Sequence, residues 1–238
     1  MTEAEKDEYI KAEKYIFTAE YGHIYTEANE NALRVTDFVM GDLVRKVKDS
    51  KGKIVKKGKF TMVMLPSGKT GYAYTKDIED FAKWLKTRKP DADHIIAMAK
   101  KFIGVPYMWG GTSMKNVDCS GLTRTVFFMN GILLPRNASQ QALVGDDVPL
   151  DKLQPGDLVF WGRQATADKP AKATHVSIYL GDNKIIHSSQ MVRINDLDRN
   201  AEDGYDRDAP LCARRILGNQ DKGKGIISTS KSPWYVKQ

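Results

Sequence analysis

Thr174-His175-Val176-Ser177-Ile178-Tyr179-Leu180-Gly181-Asp182-Asn183-Lys184-Ile185-Ile186-His187-Ser188-Ser189 holds two alternating apolar and polar runs divided by a turn-forming tripeptide. A period of two marks a half-buried strand, and Gly-Asp-Asn supplies the backbone freedom of a tight turn, so the stretch reads as a β-hairpin. With an odd number of loop residues, His175 lies directly opposite His187. With a two-residue loop it opposes Ser188. In both registers the two imidazoles are neighbours. One strand histidine is usually a satisfied core residue, but two side by side on an otherwise apolar hairpin call for a chemical reason.

Upstream, Val117-Asp118-Cys119-Ser120-Gly121-Leu122 follows the turn-rich Trp109-Gly110-Gly111-Thr112-Ser113 and precedes the helical spacing Leu122, Val126, Met129. Cys119 therefore falls in the first turn of a helix running to about Asn130. Unpaired N–H groups and the positive end of the macrodipole favour a thiolate there. The competing reading is a buried cysteine acting as a small hydrophobe. A cysteine at a helix start, facing a strand histidine that a third polar group orients, is what thiol nucleophilic catalysis requires. Cys119, His175 and His187 could also hold zinc, although a helix-start cysteine after Asp118 suits catalysis better.

Around these stretches the order is helices followed by strands, which is α+β. Strands are expected at 157–161, 175–180, 184–189 and 213–217. Ahead of them Asp93 stands as an N-cap for His94–Phe102, which Gly104 ends. This second domain spans residues 91–218. Residues 1–21 read as a partly helical lead-in. Residues 22–78 break into short β-type runs divided by turn signals, a small antiparallel barrel. The end of that domain, Phe60–Ile78 (FTMVMLPSGKTGYAYTKDI), resembles bacterial SH3-like domains. Residues 79–90 form a connector helix through Ile78, Phe81, Ala82 and Leu85 that stops before Pro90. Residues 219–238 are a polar, Gly-rich tail whose Trp234 and Tyr235 are placed to fold back.

The 238 residues carry 37 Lys+Arg against 30 Asp+Glu, a net +7 that suits an anionic surface. The basic excess peaks from Arg45 to Lys59. Its lysines alternate with valines and lack the interleaved aromatics of a nucleic-acid platform, so it reads as the solvated face of a hairpin and no nucleic-acid partner is expected. No apolar run reaches the roughly 18 to 20 residues of a membrane span, and the opening is too charged for a signal-peptide core. The compartment stays open: cell envelope or secreted if a leader was trimmed, cytoplasmic otherwise. The two cysteines, Cys119 and Cys212, do not form a disulfide framework. A bridge between them is the remaining alternative.

Residues from about Ile95 to Ser189 resemble the NlpC-type cysteine peptidase family, papain-like enzymes that hydrolyse peptidoglycan stem peptides. The likeness rests on Gly104-Val105-Pro106-Tyr107-Met108-Trp109-Gly110-Gly111, Asp118-Cys119-Ser120-Gly121-Leu122, Leu153-Gln154-Pro155-Gly156-Asp157-Leu158-Val159-Phe160-Trp161, His175-Val176 and Ile186-His187-Ser188, in that order. It implies a papain-like domain with Cys119 as nucleophile, His175 as general base and acid, and His187 holding the His175 ring. Tyr107 would join the Cys119 N–H as an oxyanion donor. Trp109, Asp118, Ser120, Asn137 and Ser139 would line the substrate site. No cofactor is implied, and the chain is expected to be a monomer.

With an SH3-like domain ahead of it, the resemblance points to the branch that cleaves the γ-D-glutamyl bond to diaminopimelate or lysine in stem peptides or muropeptides with a free N-terminal L-Ala. Other thiol amidases or acyltransferases on the same scaffold, or an inactive wall-binding module, are the alternatives. The family motif behind Pro135-Arg136-Asn137-Ala138-Ser139-Gln140-Gln141 usually has Asp-Ser where this chain has Asn137-Ala138. That aspartate pairs with the substrate ammonium. Asp118 or Glu20 is the candidate replacement.

Overall fold

The computed structural model describes residues 2–206 and 209–236. Residue 1 of the expected lead-in, residues 207–208 of the expected catalytic span and residues 237–238 of the expected tail lie outside the described residues. The chain divides into two compact units. One is built from residues up to Arg88 with the stretch from Ser230 onward, the other from Lys89–Thr229.

In the first unit, helix α1 (Glu3–Lys11) opens on a capping box. The Glu5 N–H donates to the Thr2 hydroxyl at 3.2 Å, and the Thr2 N–H to the Glu5 carboxylate at 2.6 Å. Strands β1 (Lys14–Phe17), β2 (Tyr21–Tyr25), β3 (Arg34–Val39), β4 (Leu43–Lys46), β5 (Lys56–Lys57), β6 (Phe60–Met64), β7 (Thr70–Tyr74) and β8 (Ile78–Asp80) form one antiparallel sheet. Its order is β3-β2-β7-β6-β4-β1-β8, with β5 on β6. Phe38 of β3 stacks on Phe17 of β1 with ring centroids 3.3 Å apart, so the sheet curls until strands far apart in this order share a core. Two boundaries drawn from the sequence shift here. Lys14–Phe17 was expected in a lead-in, yet it is an inner strand because Ile16 and Phe17 are both fully buried. At the other end β8 carries the sheet past residue 78.

Helix α2 (Phe81–Lys86) lies in the stretch expected as a connector but belongs to the first unit, and it is capped by Asp80, which accepts from the Lys83 N–H at 2.9 Å. Its Phe81 and Trp84 are buried and stacked. The Tyr235 ring lies 6.3 Å from Phe81, and the Lys6 ammonium sits 4.4 Å over the Trp234 ring. The end of the chain thus packs on the first unit.

In the second unit α3 (Ala92–Lys100) starts at Asp91, whose carboxylate accepts from the His94 N–H at 2.9 Å, and not at the expected Asp93. A two-stranded ribbon, β9 (Thr112–Ser113) with β10 (Asn116–Val117), leads into α4 (Cys119–Met129). Next come β11 (Ile132–Leu133), the short α5 (Ala138–Gln141), and β12 (Asp146–Val148), β13 (Leu158–Arg163), β14 (Lys172–Gly181), β15 (Lys184–Ser189), β16 (Met191–Asp196) and β17 (Cys212–Arg215). The last six strands make an antiparallel sheet in the order β12-β17-β13-β14-β15-β16. Strand β18 (Ile227–Ser228) pairs with β11, so part of the expected tail belongs to this unit.

Ile95 and Phe102, together with Leu122, Val126 and Phe127 of α4, pack on Phe160, Val176, Ile178 and Ile186. Val159, Trp161, Ile185 and Tyr205 form a second cluster. Helices on an antiparallel sheet give the α+β architecture expected from the order of elements.

Candidate active site

The start of α4 is braced from several sides. The Ser188 hydroxyl donates to the Val117 carbonyl at 2.9 Å and ties β15 to the residue before the N-cap. Asp118 is that N-cap, accepting from the Gly121 N–H at 2.6 Å on one oxygen and from the Gly110 N–H at 2.9 Å on the other. Arg136 clamps both oxygens, at 3.0 and 2.6 Å, and also donates to the Ser120 hydroxyl at 3.0 Å. Buried Gln141 reaches the Ser120 and Pro135 carbonyls at 3.1 and 2.9 Å. Gly121 is required because a Cβ there would run into the Gly111 carbonyl oxygen.

Burial pushes the Asp118 carboxyl up, but the Arg136 guanidinium and the Gly121 and Gly110 N–H groups together hold it below the ordinary carboxylate value. Asp118 is therefore fully engaged and does not offer a free charge to a substrate ammonium. Asp118 and Ser120 line a cleft, but their polar atoms hold the helix start.

Cys119 is 7% exposed, with Sγ 4.0 Å from the Thr174 carbonyl oxygen. The sequence suggested a thiolate favoured by the helix start, and the balance goes the other way. Burial raises its pKa, the Val176 N–H offsets part of this, and the neighbouring Asp118 carboxylate raises it again. Attack by this sulfur therefore needs a base. Both cysteines are free, so the Cys119–Cys212 bridge is not formed.

The sulfur stands where two clefts meet. One, of about 460 Å³, is lined by Tyr107, Cys119, Trp161, His175, Gln190 and Tyr205 among others. The other, of about 520 Å³, runs past Tyr107, Trp109, Cys119, Arg136, Asn137 and Ser139. Asn137, just ahead of α5, is exposed, and Trp109 is 86% exposed. The Tyr107 phenol is pushed up first by burial and then by the Cys119 and Asp118 charges, so it is a neutral O–H donor beside the sulfur.

The hairpin register differs from both expected versions. Asp182 and Asn183 have φ of 48° and 60°, a two-residue turn of the type that matches strand twist, but the register shifts between Tyr179 and Gly181. Ile178 faces Ile186 and Tyr179 faces Ile185. Continued along the strands, this sets Ser177 across from His187, with His175 diagonal on the same face. The diagonal is close enough: His175 Nε2 and His187 Nδ1 are 2.8 Å apart. His187 Nε2 is 2.9 Å from Asn195 Oδ1, and Asn195 Nδ2 donates to the Asp203 carbonyl at 2.6 Å.

Tyr205 stands edge-on to His187 at 4.4 Å and lies 5.1 Å from the His175 ring. His187 is fully buried. Burial pushes its pKa down to about 4 against the upward pull of the Asn195 bond, and the Arg193 charge lowers it too. Both His187 nitrogens are engaged, which leaves none to ligate zinc alongside Cys119 and His175. Among the described residues no group of His, Cys, Asp and Glu is arranged to hold a metal ion, and no helix is long and apolar enough to cross a membrane.

Five residues at this site were not singled out from the sequence. Arg136 and Gln141 sit in a motif read as substrate-facing, and Ser188 in one read only for its histidine. Asn195 and Tyr205 belong to a polar stretch resembling a loop. A signal for Asn195 existed in the alternation Val192, Ile194 that continues the hairpin as a third strand.

Residues 104–207 match the NlpC/P60 family. Over 131 residues the chain is 35% identical to the gamma-D-glutamyl-L-lysine dipeptidyl-peptidase of Bacillus cereus, covering 55% of this chain and 38% of that one. It is 37% identical over 128 residues to the protein of the same name from Bacillus subtilis, covering 54% and 42%. The chain thus spans about two fifths of the length of these curated relatives. The crystal structure of an NlpC/P60 family protein from Bacillus cereus matches with a TM-score of 0.70 at 25% identity, over 91% of this chain and 67% of that one. Taken with the papain-like packing of α4 on the sheet, residues 104–207, which bring Cys119, His175 and His187 together, are an NlpC/P60 family domain.

Proposed function

We propose that this chain is a cysteine peptidase that hydrolyses the γ-D-glutamyl bond to lysine or diaminopimelate in peptidoglycan stem peptides or released muropeptides. The observation that carries the reading is the position of the Cys119 sulfur at the junction of two clefts, one of them shared with His175. A peptide laid through both has chain on each side of the bond to be cut.

His175 Nε2 is committed to His187, so Nδ1 is the nitrogen that acts on the thiol. As Sγ attacks the γ-carboxamide carbon, Nδ1 takes its proton. The Tyr107 hydroxyl and the Cys119 N–H receive the developing oxyanion, and one such donor is typically worth about 3 kcal/mol. The C–N bond breaks with His175 protonating the leaving amine, and a thioester remains. His175 then removes a proton from water, which hydrolyses the thioester to the γ-carboxylate and returns the thiol. His187 keeps the His175 ring in place throughout. The names of the relatives support the γ-glutamyl bond, and the curled β-unit is proposed to be SH3-like.

The test is mass spectrometry of digests of L-Ala-γ-D-Glu-L-Lys and L-Ala-γ-D-Glu-diaminopimelate peptides, with the N-terminus free or acetylated. Release of L-Ala-γ-D-Glu by the wild type and none by a folded Cys119→Ala variant is expected. Cleavage only at another amide, or equal cleavage by the variant, would overturn the proposal.

A further inference from the structure

We infer that Asn195 is a positioning residue of this site: backed by the Asp203 carbonyl, it fixes which nitrogen of each imidazole carries the proton. The inference rests on the cysteine peptidase reading and extends it to a residue two steps behind the base.

The chain of contacts allows one assignment. A carbonyl oxygen only accepts, so the Asn195 group 2.6 Å from the Asp203 carbonyl is the amide NH2. That orientation sets Asn195 Oδ1 against His187 Nε2 at 2.9 Å. An amide oxygen also only accepts, so His187 Nε2 carries a hydrogen. The neutral ring then has its lone pair on Nδ1, which lies 2.8 Å from His175 Nε2 and requires that nitrogen to donate. With its hydrogen on Nε2, neutral His175 has its lone pair on Nδ1. The orientation of one backbone carbonyl on the segment after β16 is thus passed through three side chains and ends as a base able to take the Cys119 proton.

Without the Asn195 oxygen, nothing holds the hydrogen on His187 Nε2. The ring can carry it on Nδ1 and donate to His175 Nε2, and His175 then carries its hydrogen on Nδ1 with no lone pair there for the thiol. The groups that face His187 do not replace the lost acceptor. Arg193, paired across from it on β16, is a cation; His175 on β14 presents the nitrogen in question; the Tyr205 ring makes a T-shaped contact with His187. Removing Asn195 therefore affects the proton, not the space, around these rings.

Two-dimensional NMR of the 15N-histidine-labelled 238-residue chain at pH 7 reads the tautomers directly, with or without substrate. In the wild type both His175 and His187 are expected as the Nε2–H form. Asn195→Leu keeps the bulk and removes the acceptor, so His187 is expected to move to the Nδ1–H form or a mixture. In that variant kcat on the γ-glutamyl peptide should fall about tenfold or more, the size of one hydrogen-bond contribution, with KM within about threefold. Asn195→Asp keeps an acceptor, so the His187 Nε2–H form and most of kcat should return, with the acid limb of the pH profile moved up as the carboxylate favours imidazolium.

An Nδ1–H form of His187 in the wild type would overturn the inference, whether or not the variants fold. So would a folded Asn195→Leu variant with unchanged tautomers and kcat. A wild type that cuts none of the peptides would instead overturn the peptidase reading, while the tautomers still decide the role of Asn195.

Discussion

A cysteine whose pKa is raised by burial and by the Asp118 carboxylate is a poor nucleophile alone, so in the proposed mechanism the reactivity of Cys119 depends on the state of two imidazoles. His187 titrates at about 4 in the folded protein and near 6.5 when unfolded. Above pH 6.5 the ring is neutral in both states and adds no pH dependence. Between 6.5 and 4 the unfolded chain binds a proton that the folded one refuses, so stability falls as the pH drops through this window and levels off below it. The loss amounts to about 3 kcal/mol. Urea unfolding from pH 7 to 4.5 should show this slope in the wild type and a flatter one in His187→Asn. Equal slopes would mean that His187 is not buried neutral. The acid limit of activity set by His187 is accordingly expected near pH 4.

Asn137→Asp tests the other side of the cleft. Restoring the carboxylate should raise kcat/KM for the free-amine peptide over the acetylated one by about fivefold, since a charge-assisted hydrogen bond is roughly twice as strong as a neutral one. An unchanged ratio would place the ammonium elsewhere. Cys119, His175 and His187 could be singled out in the sequence because each stands in a patterned element. For Asn195 the alternation of Val192 and Ile194 marks only the strand, since Asn195-Asp196 reads as turn chemistry and Asn195 gains its contacts only when Asp203 folds back onto it.

The start of α4 is where packing and chemistry meet. Gly121→Ala forces a methyl into the Gly111 carbonyl, and the helix start must move or the protein must lose about 1–3 kcal/mol, which urea unfolding will read. Arg136→Met removes the clamp on Asp118 at a cost of about 2 kcal/mol, the usual worth of hydrogen bonds to a charged group. It also leaves an unbalanced carboxylate beside the thiol, so Cys119 alkylation at pH 7 should slow. Faster alkylation would contradict the assigned direction. The helix itself was readable from Leu122, Val126 and Met129. The hairpin was readable too, but its register was not, because the shift between Tyr179 and Gly181 follows from pairing with β15 and leaves no mark in the alternation. Strand β1 was missed for a related reason: four residues after a charged helix are too few to show a period, and only the burial of Ile16 and Phe17 by distant strands makes them a strand.

Each of the two units has its own apolar core, one around Phe17, Phe38 and Val63 and the other around Phe102, Leu122 and Phe160. Residues 89–229 expressed alone are therefore expected to unfold cooperatively in urea. A broad, non-cooperative transition would show that the core is incomplete. A change from short β-runs to helical spacing was visible near Ile78, whereas the two units divide between Arg88 and Lys89 because α2 packs with the β-rich unit. The pairing of β18 with β11 was not, because two residues of strand carry no pattern. The proposed chemistry turns on Cys119 being activated by His175. Its most direct measurement is the rate of iodoacetamide alkylation at Cys119 and Cys212 of the intact chain, followed by peptide mapping in the wild type and in His175→Ala. Alkylation of Cys119 should slow at least about tenfold in the variant while Cys212 is unchanged, as expected when a positioned base is removed. Equal rates at Cys119 in the two proteins would contradict it.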